Sequence, residues 1–79
     1  MWGNDPSTAL TNIVELNGNH YLVDSRYTFD AGYETMVFPC NKNGNVTSWG
    51  DLYVEHYITQ EQMNARHKEI VENLSVYID

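Results

Sequence analysis

The chain is short of cysteine, of positive charge and of long apolar runs, and each shortage closes off a class of protein. One cysteine, Cys40, excludes an internal disulfide and any cysteine-based zinc framework. Small secreted domains are more often stapled, which argues against an oxidising compartment. No stretch approaches the roughly 18 apolar residues of a membrane-spanning helix. Met1 to Pro6 carry neither a basic segment nor an apolar run, so no secretory leader is expected and the expected compartment is the cytoplasm. Phosphate-binding glycine loops, serine nucleophile elbows and helical zinc motifs are missing too.

Four basic residues face eleven carboxylates, for a formal net charge of −7 and a pI near 4.6. Binding to nucleic acid or an anionic membrane depends on cationic side chains that displace counterions, so both are disfavoured. The electrostatic partners of such a chain are basic protein surfaces, including those that hold DNA or RNA. Solubility alone is also a sufficient reason for the charge.

What is present points to a folded domain. Hydrophobic residues make up 42% and charged residues 19%, which excludes a disordered acidic tail. Six tyrosines, two tryptophans and two phenylalanines suffice for a compact centre. The 79 residues form a single domain, 1–79, with a modest core, and residues 1–11 are polar, turn-prone and loosely ordered.

Residues 13–23 read as a β-hairpin. Asn17-Gly18 supplies the two positive-φ positions of a tight turn, which pairs Leu16 with Asn19, Glu15 with His20, Val14 with Tyr21 and Ile13 with Leu22. Val14, Leu16, Tyr21 and Val23 then share the core face. A connection over 24–32 follows, with a short extended piece at 26–29. A third strand covers 34–38 and is ended by Pro39. Asn41 to Asn45 form a polar turn, and residues 46–49 fold back as a hairpin arm. Residues 52–58 alternate as a strand, with Leu52, Val54 and Ile58 on one face and Tyr53, Glu55 and Tyr57 on the other.

Thr59 and Gln62 form a capping box, with Ile58 and Met63 as its hydrophobic staple. Met63, His67, Ile70, Val71 and Leu74 recur at helical spacing, which predicts a helix over 60–74. The tail from Ser75 forms an edge strand or simply docks. The sum is an α+β domain, a small antiparallel sheet with a C-terminal helix packed on one face.

Candidate chemistry is sparse. His56 and His67 can point into one seam if the helix covers the Leu52/Val54/Ile58 face, yet the further ligands of a zinc site are missing. His67 reads instead as a half-buried stripe residue with its ring hydrogen-bonded, and Cys40 as a small apolar filler. Asn41 to Asn45 alternate side-chain oxygens but lack the aspartates and closing glutamate of a calcium loop. The carboxylates are spread over every element and a chain this short has little depth for a cleft, so no catalytic residues, cofactor or metal are expected. Acids interleaved with tyrosines remain. Glu34, Asp51, Tyr53, Glu55, Tyr57 and Glu61 are the candidate partner-binding residues, the rings giving contact area and the acids pairing with Arg or Lys.

Tyr33 to Phe38, Val46 to Leu52, His56 to Thr59 and a helix with His67, Ile70 and Val71 resemble a family of small, mostly uncharacterised proteins of phages and prophages of Gram-positive bacteria. The similarity covers residues 33–74 and leaves out the N-terminal hairpin. It implies a phage setting and no activity for any residue. By analogy, small acidic phage proteins often inhibit host machinery. The expectation is a non-enzymatic inhibitor in the host cytoplasm. Its partner is a basic, nucleic-acid-binding host protein such as a CRISPR-type defence effector, blocked by steric and electrostatic competition or nucleic-acid mimicry. The alternative is a phage structural or assembly accessory protein that oligomerises through a strand edge.

Overall fold

A computed structural model of the chain describes residues 9–78. Four antiparallel strands follow one another across a single sheet in the order β1-β2-β3-β4: Leu10–Leu16, Asn19–Thr28, Gly32–Cys40 and Tyr53–Tyr57. Helix α1, Gln60–Glu72, and the short helix α2, Leu74–Ile78, complete the α+β architecture, with α1 packed against one face of the sheet. No helix among the described residues is long and apolar enough to cross a membrane.

The first hairpin has the register its turn dictates. Asn17 and Gly18 take φ values of 54° and 84°, and Leu16 meets Asn19. β1 starts at Leu10, earlier than the expected loose region allows; residues 1–8 of that region lie outside the described residues. The second strand does not stop at Val23. It runs on through Arg26 to Thr28, where a tight turn with Gly32 at φ 75° leads into β3. A ladder from His20–Cys40 to Thr28–Gly32 makes β2 and β3 the long centre of the sheet.

Pro39 does not end β3. Its carbonyl accepts from the Thr47 N–H at 3.0 Å, so its backbone polar edge points away from β2, on the side where β4 has stopped pairing. The missing donor therefore costs no ladder bond. The expected 46–49 arm reduces to a bridge between Cys40 and Val46.

Register decides which face is covered. Asn12, Val23, Val37 and Tyr53 stand in one row, so the Tyr53/Glu55/Tyr57 side of β4 is the side of Val23 and Val37. Val23, Val37, Ile70 and Leu74 form the core, with Val14, Tyr21, Tyr53, Val71, Tyr77 and Ile78 packed around them. This corrects the expected sidedness of β4. Leu52, Val54 and Ile58 lie away from the core, 46%, 41% and 87% exposed.

The capping box is present: Thr59 Oγ1 accepts from Gln62 N at 3.2 Å, and the Gln62 side chain accepts from Thr59 N at 3.3 Å. Its expected staple is not. Met63 is fully buried while Ile58 faces solvent. Met63, His67 and Ile70 form the buried stripe, but the predicted single helix is broken at Asn73, whose φ of −128° is non-helical. Leu74 reaches the core from α2, and the tail is helical rather than a strand.

Candidate protein-binding surface and the polar seam beneath the helix

The six candidate residues do not form one surface. Tyr53, Glu55 and Tyr57 do meet, because they alternate on β4, but they line the seam between sheet and helix. Glu34 is on the opposite face, where its carboxylate lies 3.1 Å from His56 Nε2. Asp51 is exposed in the loop before β4, and Glu61 is exposed in the first turn of α1.

Glu55 is saturated with donors. Tyr57 and Arg66 Nε reach Oε1 at 2.8 and 2.9 Å, while Tyr53 and Arg66 Nη2 reach Oε2 at 2.6 and 3.1 Å. The Arg66 guanidinium is the main cause that lowers the Glu55 pKa to about 2; the two phenols add to it and burial opposes it. The same bonds raise the Arg66 pKa, and burial raises that of Tyr57. Arg66 also bonds the Tyr77 hydroxyl at 3.1 Å and lies over its ring, and Tyr77 packs on Tyr53 with centroids 5.2 Å apart. A carboxylate whose four acceptor positions are filled has nothing left for a partner's lysine.

The seam continues into the protein. Thr35 Oγ1 lies 2.9 Å from the Tyr57 hydroxyl and 2.5 Å from Ser25 Oγ, and Ser25 Oγ lies 2.6 Å from His67 Nδ1. His67 Nε2 is 2.7 Å from Asn12 Oδ1. His67 is thus buried with both ring nitrogens bonded, as its stripe position implied, and burial pushes its pKa down. Ser25–His67–Asn12 has the composition of a nucleophilic triad, but Ser25 is fully buried, so no substrate carbonyl reaches its oxygen. His56 is on the other side of the sheet, so the condition for the two histidines to share a seam is not met. Among the described residues no three His, Cys, Asp or Glu side chains gather into a metal-ligand group.

Asn41 spends its side-chain oxygen on the backbone. Oδ1 accepts from Asn43 N at 2.9 Å and Asn45 N at 3.0 Å, which makes the loop a self-closed turn. Cys40 is buried at the end of β3, and burial raises its thiol pKa.

The accessible feature is the face of the sheet away from α1, where Ile13, Val54 and Trp49 are exposed around a buried Phe38. Ile13, Leu22 and Phe38 form one row across three strands, and Met36 and Val54 pair beside it. Trp49, 75% exposed, stands edge-on to Phe38 with centroids 5.2 Å apart. Together with Leu22, Met36 and Phe38 it walls a recess of about 380 Å³ rimmed by Thr11, Asp24 and Arg26. Asp24 holds Arg26 through two bonds of 2.8 Å and accepts from Thr11 at 3.0 Å. With Arg26 and Arg66 committed to carboxylates, Lys42 and Lys68 are the basic side chains outside ion pairs among the described residues.

Sequence reasoning missed Asn12, Ser25, Thr35 and Arg66, which join the seam only through strand register and helix docking. Trp49 was visible as an aromatic in a polar loop, but the Phe38 it leans on was not. Searches against protein-family models, curated proteins and solved structures find no match to this chain.

Proposed function

We propose that the chain is a non-catalytic protein-binding module that docks through the face of its sheet away from α1. The observation that carries this reading is the group of exposed apolar side chains, Ile13, Leu52, Val54 and Trp49, on the face of the sheet away from α1, where Trp49 lies over the buried Phe38. Aromatic anchors in a shallow recess rimmed by polar groups are how protein interfaces concentrate binding energy. The surplus of exposed acids, including Glu15, Asp51 and Glu61, favours a basic partner and speeds its approach. The finer reading is an inhibitor of a nucleic-acid-handling host defence protein in a phage setting, acting in the cytoplasm by competing for a basic surface.

The test is capture from nuclease-treated host lysate at low and moderate salt, with wild type beside Trp49→Ala and an Asp51→Lys/Glu61→Lys double variant. One basic protein should be retained by wild type. The Trp49 variant should lose it at both salts, and the charge variant should mimic the loss that salt causes. Purified target should then release nucleic acid when the module is added. Equal capture by all three folded proteins sinks the reading.

A second reading rests on the sheet edge. β1 presents a seven-residue outer edge, Leu10–Leu16, without Lys or Pro to block pairing. A phage assembly protein joining copies through this edge would appear as a defined oligomer in sedimentation.

A further inference from the structure

The loop from β3 to β4 borders the face of the sheet away from α1 at two points. Gly44 sits against the Ile13 side chain, and Trp49 stands edge-on to Phe38. The recess of about 380 Å³ beside Trp49 is lined by Leu22, Met36 and Phe38, with Thr11, Asp24 and Arg26 at its rim. That is room for one long side chain rather than for a helix or a strand.

Trp49 is held where it stands. Thr47 N donates to the Pro39 carbonyl at 3.0 Å and Leu52 N to the Val37 carbonyl at 2.8 Å, so the loop is pinned on both sides of the indole. The residue is nonetheless 75% exposed, which leaves ring surface free. A large aromatic fixed before binding is an anchor that needs no further ordering when a partner arrives.

Charge selects among side chains. Two bonds of 2.8 Å hold Arg26 on Asp24, so the cation at the rim is cancelled by its neighbour. Beyond that pair, Glu15, Glu34 and the nearby Asp51 outnumber Lys42, which stands in the turn beside Ile13. Among the described residues, Asp24 Oδ2 accepts from Arg26 Nε alone, and one of its acceptor positions stays open. Apolar lining, an indole surface and an open carboxylate position together match one side chain. Leucine uses only the first, and lysine brings a compact, strongly hydrated ammonium. Arginine has an apolar stem and a planar, weakly hydrated guanidinium that stacks on indole and donates in its own plane.

We propose, resting on the docking face described above, that this recess seats one arginine side chain of the basic partner. Its stem lies on Leu22, Met36 and Phe38, and its guanidinium stacks on Trp49 within reach of Asp24. An arginine seated here is withdrawn from phosphate, which is how a nucleic-acid-binding surface would be blocked.

The experiment is an NMR titration of the ¹⁵N-labelled protein with capped tripeptides carrying arginine, lysine, citrulline or leucine between two glycines. The arginine peptide should shift the Trp49 indole N–H, identified by its loss in Trp49→Leu, together with the Leu22 and Met36 amides in one saturating curve. Citrulline has the same shape without the charge and should bind roughly tenfold more weakly, with lysine between them. Trp49→Leu keeps an apolar wall but no ring, and arginine binding followed at Leu22 and Met36 should weaken about fivefold. Equal binding of citrulline or leucine, or arginine binding unchanged in Trp49→Leu, overturns the proposal. If Trp49→Ala still abolishes capture of a partner while the arginine peptide moves nothing at Trp49, the docking face stands and only this occupant is struck.

Discussion

At the scale of single residues, Glu55 and His67 dominate because each is charged or chargeable beneath a helix. Their effects on stability run in sequence as pH falls. The His67 pKa is lowered by folding, so the folded protein binds fewer protons and loses stability as pH drops below the ordinary value of 6.5. Glu55 is lowered from 4.5 to about 2, so its contribution is complete above 4.5 and is lost as pH falls toward 2. Urea midpoints followed from pH 7.5 to 3 should decline in both windows. His67→Gln should flatten the upper decline and leave the lower one. An identical slope in the variant between pH 6.5 and 5 would mean that the ring is not buried neutral. Glu55 shows the limit of sequence reading: its alternation with Tyr53 and Tyr57 was plain, but its cation stands on a helix eleven residues away.

At the scale of elements, the first hairpin and the helix start were legible because local chemistry fixes them. Asn17-Gly18 allows one tight register, and Thr59 with Gln62 closes its own box. Thr59→Ala should cost about 1 kcal/mol and Thr59→Ser almost nothing, read by thermal unfolding. Losses beyond ~2 kcal/mol would show the cap to be holding more than α1. Ile70 joins that helix to the core and is fully buried, so Ile70→Ala should cost about 2–5 kcal/mol. The sidedness of β4 was not legible. Leu52 and Val54 are the greasier pair by any residue scale, yet the row Asn12–Val23–Val37–Tyr53 puts the tyrosines inward. Only non-local pairing carries that information. Half-buried phenols are tolerated there because Glu55 accepts from both. Pro39 misled in the same way, since whether its missing N–H matters depends on which neighbour its backbone edge faces.

At the scale of the whole molecule, two properties oppose each other: one face of the sheet is left open, and the chain carries a net charge of −7. Ile13, Leu52, Val54 and Trp49 are each more than two-fifths exposed, and such a surface favours covering itself with any apolar partner, a second copy included. Mutual repulsion between copies keeps it available for a partner of opposite charge. The balance is set by pH, because carboxylate protonation removes the repulsion near the pI of about 4.6 while leaving the apolar face unchanged. Sedimentation should therefore find monomers at pH 7.5 and concentration-dependent association near pH 4.6. High salt at pH 7.5 should promote the same association by screening. Trp49→Ser with Leu52→Ser should suppress both, since the charge is the same and only the face has changed. Association undiminished in that variant would move attention to the free edge of β1 and to strand pairing, where substitution of Thr11 or Ile13 by Pro is the discriminating change.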